Sequence, residues 1–216
     1  MATLPLENSE RMGAASAEQG ESLLLKGEIA RRIVHASGST VPAPYLIGIA
    51  TWLQTQALFV LGAAIALSLE GLRHTGIIDW RIYDYLTREY EQDNIAGYAL
   101  YMLSSAAVVL IFEPRVAVPA VLMLTIGDPI SGLVASDEFR QVKRPRALAT
   151  MFLISATLAW PFLHEYPLAV ILGAVAATVA DGYTLVVWTY VIDDNLTITT
   201  AGATAMVIGI ELTAFI

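Results

Sequence analysis

Cysteine is missing from this chain altogether. That excludes disulfides, haem thiolates, cysteine-ligated zinc and thiol catalysis. Lysine is nearly missing too: Lys26 and Lys143 stand against ten arginines. Charge of either sign is scarce, at 15% of residues, and its balance is acidic, with a formal net charge of -8. Nucleic acid is therefore not an expected partner. An acidic excess with so little lysine suits a chain working at high salt. What the sequence has instead is apolar length. Of 216 residues, 56% are hydrophobic, and the mean hydropathy is +0.61. A water-soluble domain is not so apolar, and several runs approach the length of about 20 residues that crosses a bilayer. The expected fold is all-α, a polytopic membrane helical bundle.

Residues 1–25 are polar and acidic, with Glu10, Glu18 and Glu21 among small side chains. They are expected as a disordered tail and not as a cleavable signal, which needs an apolar core. Residues 26–216 are expected as a single integral membrane domain. Apolar segments fall at roughly 33–50, 55–72, 95–112, 116–136, 147–163, 167–190 and 197–216, about seven spans. The first two are ambiguous. Pro42 and Pro44 interrupt the run, and Thr51-Trp-Leu-Gln-Thr-Gln56 adds a polar break. Charge placement chooses between the readings. With seven crossings, eleven of the twelve basic residues share the N-terminal side and only Arg115 lies opposite. The positive-inside rule then puts the N-terminus in the cytoplasm of a multi-pass cell-membrane protein. Six crossings weaken that bias. Trp52, Trp80, Trp160 and Trp188 lie near span ends, as interface anchors do.

Against this background, charges inside or at the edge of spans are expensive and mark function by default. The stretch Tyr190-Val-Ile-Asp-Asp-Asn-Leu-Thr-Ile198 sets Asp193, Asp194 and Asn195 between two apolar segments. Asp181 lies inside the preceding run. Gly127-Asp-Pro-Ile-Ser-Gly132 breaks another span around Asp128, and irregular backbone at membrane depth needs protein or a water-filled cavity around it. A helical rise of 1.5 Å per residue sets Asp128 about 12 Å below the cytoplasmic end of its span and Asp181 about 18 Å below Asp193. The carboxylates thus converge at comparable depth, a pattern that suits a divalent cation and the phosphates it carries. The loop 137–146 carries Arg140, Lys143, Arg144 and Arg146. Those bases can clamp phosphates or anchor lipid headgroups. At the entrance to the first span, Arg31 or Arg32 shares a helical face with His35. Arg88-Glu-Tyr-Glu91, before the third span, reads alone as a solvated charge cluster.

Together these segments resemble the CTP-dependent lipid-alcohol kinases: dolichol kinase, phytol kinase and the CTP-using diacylglycerol kinase. More distantly they resemble the phosphatidate cytidylyltransferases. The likeness rests on Glu28-Ile-Ala-Arg-Arg-Ile-Val-His-Ala-Ser-Gly38, on Arg88-Glu-Tyr-Glu91 with Gly97, on Gly127-Asp-Pro-Ile-Ser131 and on Ile192-Asp-Asp-Asn-Leu-Thr-Ile198. These cover, in order, nearly the whole chain after residue 26, and the last is the most specific. Two places depart from the pattern. Where the family shows Lys-Ser-x-Glu-Gly, this chain reads Lys143-Arg-Pro-Arg-Ala147, so only Lys143 carries over. Thr199 stands where members tend to have Pro. In length the chain is similar to a minimal, archaeal-type member.

The resemblance implies phosphoryl transfer from CTP, with Mg²⁺, to the terminal hydroxyl of a polyprenol, dolichol or related isoprenoid alcohol. It implies Asp128, Asp193 and Asp194 as metal and catalytic residues, with Asn195 orienting a carboxylate or phosphate. Lys143, Arg144 and Arg32 would hold nucleotide phosphates. Asp181, His35, Arg88 and Glu91 would support them. The expected partners are CTP, the lipid alcohol and membrane lipids; the sequence carries no signature of oligomeric state. Two other functions compete. One is a CDP-lipid synthase of the phosphatidate cytidylyltransferase type. The other is a cation or proton transporter, which needs acids open to both faces, whereas the outer loops here are short and nearly uncharged.

Overall fold

The computed structural model describes residues 29–30, 32–77, 94–135, 142–183, 185–187 and 190–215. The tail 1–25, Arg88, Glu91 and residues 136–141 of the basic loop lie outside them. The described chain is helical apart from one short hairpin. Helix α1 spans Ala43–Leu46, α2 Trp52–His74 and α3 Gly97–Ile111. Helix α4, Pro114–Leu122, passes through a π-helical stretch, Met123–Gly127, into α5, Asp128–Val134. Helices α6, Pro145–Leu163, and α7, Pro167–Gly182, come next. Strands β1, Leu185–Val187, and β2, Tyr190–Ile192, pair antiparallel with Leu185 opposite Ile192. Helix α8, Asp194–Ala214, ends the described chain.

Four helical stretches are long and apolar enough to cross a membrane: Trp52–His74, Pro114–Val134, Pro145–Leu163 and Asp194–Ala214. Helices α3 and α7 are apolar but shorter. The local sequence sets the helix starts. Thr51 and Gln54 form a reciprocal capping box at α2. Pro114, Pro145 and Pro167 open α4, α6 and α7, where their fixed φ helps and their missing N–H costs nothing.

Two expected spans are rearranged. Residues 33–50 are not one long helix. A helical stretch at 32–37 gives way to a 3₁₀ turn, Gly38–Thr40, and then to the four residues of α1. Pro42 and Pro44 remove backbone donors here, and Gly48 turns the chain at a φ of 75°. The segment expected at 167–190 stops at Gly182, where the hairpin begins. Asp181 is therefore near the end of α7 and not buried deep along a longer helix.

The stretch Pro114–Val134 is the central one. In its apolar window 72% of residues are buried inside the bundle, against 28–33% in the other three long helices, which leave apolar faces outward. Met123 and Leu124 of the π stretch are fully buried. Helix α8 lies along α7 through small residues: a β-carbon at Gly209 would overlap the backbone of Ala169, and one at Gly173 would overlap Met206.

The helices alternate in direction. Gln56 Nε2 donates to Val109 O (2.8 Å), tying the start of α2 to the end of α3. At the other end of these helices Glu70 is buried, with every bond it needs. Its oxygens accept from Arg73 (2.7 and 3.1 Å), from Ala96 N (2.8 Å) and from Tyr98 Oη (2.6 Å). A buried carboxylate so paired is a joint between helices. The ends of α5 and α7 and the starts of α6 and α8 gather at one end of the bundle, where Lys143 N donates to Gly182 O (2.9 Å).

Candidate active site

The site begins with a missing proton. Pro129 has no N–H, so the carbonyl of Thr125 loses its α-helical donor. The ladder widens into a π turn in which Asp128 N–H donates to Met123 O, five residues back. Such turns insert one extra residue and re-aim the side chains after it. The side chain re-aimed in this chain is that of Asp128, the first residue of α5.

Asp128 Oδ2 lies 3.3 Å from His35 Nδ1, and its Oδ1 lies 3.9 Å from Lys143 Nζ. Lys143 Nζ donates at 2.6 Å to Asp181 Oδ1. The other oxygen of Asp181 accepts from Ser131 Oγ at 2.9 Å. One turn of α5 thus presents Asp128 and then Ser131 to α7, and Lys143 closes the group from the loop before α6. Burial works against the ammonium of Lys143, but the carboxylates of Asp181, Asp128 and Asp194 outweigh it and hold its pKa above the ordinary lysine range.

Asp194, the first residue of α8, completes the group. One oxygen from each of Asp128, Asp181 and Asp194 lies within 4.8 Å of the others. This set fits a divalent cation. The donors are hard oxygens, and opposite ligands of Mg²⁺ and Ca²⁺ stand about 4 and about 5 Å apart.

Asp193 has a different post. It is the N-cap of α8: its Oδ1 accepts from Asn195 N (2.9 Å) and from Asn195 Nδ2. Asn195 is buried, and its backbone O accepts from Ser104 Oγ of α3 (2.6 Å). Asp193 and Asn195 therefore seat the start of α8 and hold Asp194 in place. Asp181, expected only in support, stands in the carboxylate group; Asp193, expected at the metal, does not belong to that set of three. Arg32 lies across α5, with its guanidinium donating to Gly132 O (3.1 Å). Arg144 occupies the N-cap position of α6, next to Lys143.

Two residues to which the sequence assigns no role stand at the site. Ser131 lies in the run Gly127-Asp-Pro-Ile-Ser131, and its spacing of three from Asp128 is the signal that could have found it. Tyr101 stacks on His35 with ring centroids 5.2 Å apart and planes 15° from parallel. A tyrosine inside an apolar run carries no signal of that kind.

No protein-family model, no curated protein and no solved structure matches this chain.

Proposed function

We propose that this chain is a membrane-embedded kinase that moves the γ-phosphoryl group of CTP to the terminal hydroxyl of a polyprenol, dolichol or related isoprenoid alcohol. The observation that carries the reading is the group Asp128–Asp181–Asp194 with Lys143 among them, at the end of an apolar bundle. The choice of CTP and of an isoprenoid alcohol rests on the resemblance of the four segments and not on the geometry.

Phosphoryl transfer asks a protein for positioning and charge neutralisation more than for covalent chemistry. Asp128, Asp181 and Asp194 would hold Mg²⁺, which supplies neutralisation of the phosphate oxygens. Lys143 lies within reach of the phosphates that such a group attracts, with Arg144 beside it. The acceptor hydroxyl attacks the γ-phosphorus, the bond to CDP breaks, and the hydroxyl proton passes to a carboxylate of the group. His35, against Asp128 Oδ2, orients that carboxylate.

In this reading the chain crosses a cell membrane seven times. The crossing between His35 and Thr51 is made by short helical pieces and the others by α2, α3, α4–α5, α6, α7 and α8. The N-terminus, the loops after α2 and α5, and the hairpin share the cytoplasmic side with the site. CTP reaches it from water and the alcohol from lipid.

Separate titrations of donor and acceptor test the assignment. Lys143→Ala should raise the apparent KM for CTP by at least about tenfold, as loss of a charged contact does, and leave the KM for the alcohol unchanged. An unchanged CTP requirement removes Lys143 from the nucleotide site.

A further inference from the structure

Buried hydroxyls in a membrane bundle find partners, because nothing else there satisfies them. Five hydroxyls among the described residues are exceptions, those of Tyr101, Ser105, Thr125, Ser155 and Thr199; of these, Tyr101 and Thr125, buried at 4% and 0% exposure, are the two that border the turn after His35. Both side chains border Gly38: a β-carbon there would overlap Tyr101 Oη and would lie 3.2 Å from the methyl carbon Cγ2 of Thr125. The same Tyr101 ring stacks on His35, whose Nδ1 reaches Asp128. Thr125 belongs to the π turn that aims Asp128. Two residues with unsatisfied hydroxyls are thus linked to Asp128, Tyr101 through His35 and Thr125 through the π turn.

Their side of the group is informative. Thr125 precedes Asp128 along a helix whose far end leads to the loop of Lys143, so the pair lies on the apolar side and the ammonium on the loop side. A phosphate belongs with Lys143. A neutral, hydroxyl-bearing end of a lipid belongs on the other side, with its tail in the membrane. The side-chain hydrogen bonds of the covering turn are local. Among the described residues, the hydrogen bonds of Ser37, Ser39 and Thr40 side chains return to Val34, Ala36 and Ser37, all within the same segment.

We infer that Tyr101 and Thr125, beneath the Gly38–Thr40 turn, form the seat of the acceptor's hydroxyl end. This rests on the kinase reading for the identity of the acceptor. Tyr101 Oη and Thr125 Oγ1 bond the hydroxyl before attack and hold its oxygen toward the phosphorus; both are positioning residues and neither transfers a proton.

The test uses the full chain with Tyr101→Phe and Thr125→Val, which keep shape and remove only hydroxyls. Kinetics with CTP and geranylgeraniol, binding of tritiated geranylgeraniol and thermal melting are read together. Each variant should raise the acceptor KM about tenfold, the effect of one lost hydrogen bond in a dry site. The KM for CTP should stay within about twofold, and the unliganded variants should melt no lower than wild type, since they lose no internal bond. An acceptor KM that does not move overturns the seat. If the variants also melt lower, the hydroxyls hold ordered water and nothing else. The two readings fail separately. Alcohol binding that weakens in Tyr101→Phe, in a protein that transfers no phosphoryl group, keeps the seat and sinks the kinase. Transfer with wild-type acceptor kinetics in both variants keeps the kinase and sinks the seat.

Discussion

At the scale of single residues, five acids and amides that look alike in the sequence are given separate posts. Asp128, Asp181 and Asp194 share a cation-sized group, while Asp193 caps α8 and Asn195 ties it down. The consequence is measurable. Asp128→Asn, Asp181→Asn and Asp194→Asn should each lower turnover by at least about a hundredfold, with melting temperatures near wild type, because they remove charge and not packing. Asp193→Ala should act first on stability. Loss of an N-cap costs about 1 kcal/mol, or a fall of about 2–4 °C in Tm for a chain of this size. Purified variants compared by turnover and by melting separate the two classes. The sequence shows these acids as candidates because charge is rare in apolar runs. It does not rank them, because a capping carboxylate and a ligating one have the same composition and differ only in where the chain turns. Asp181 illustrates this: its importance depends on α7 ending at Gly182, which an unbroken apolar run to residue 190 conceals.

At the scale of elements, the breaks matter more than the helices. Apolar length locates α2 to α8 from composition, and the proline-led starts of α4, α6 and α7 are legible as they stand. The segment 33–50 is as apolar as a span yet folds into short pieces, since Pro42 and Pro44 deny it a continuous ladder. The hairpin between α7 and α8 is equally hidden, because its strand residues are as apolar as the helix before it. The π turn is the element on which the site depends. Pro129→Ala restores an N–H for Thr125 O and lets the α ladder close, which turns Asp128 away from His35 and Lys143. Turnover should fall about tenfold or more, as misplaced reacting groups do, while circular dichroism and Tm stay at or above wild type. Intact turnover in that variant removes the π turn from the mechanism. Packing between α7 and α8 gives a second check. Gly209→Val drives a side chain into the backbone of Ala169 and should cost about 1–3 kcal/mol, read as a lower Tm.

At the scale of the whole molecule, the proposed topology puts the N-terminus and the carboxylate group on one side of the membrane. The chain lacks cysteine, so single cysteines report cleanly. Cysteines placed at Ser22 and Gln141 should both label from the cytoplasmic side in oriented membranes; labelling from opposite sides contradicts seven crossings. The central claim is the reaction itself, and the identity of the nucleotide product tests it most directly. Purified protein is given CTP labelled in the base and in the γ-phosphate, Mg²⁺ and a panel of isoprenoid alcohols. A CTP-dependent kinase forms CDP in step with a lipid monophosphate that carries the γ-label, and that is the expected result. Pyrophosphate formed in step with a CDP-lipid, or no transfer to any alcohol, contradicts it.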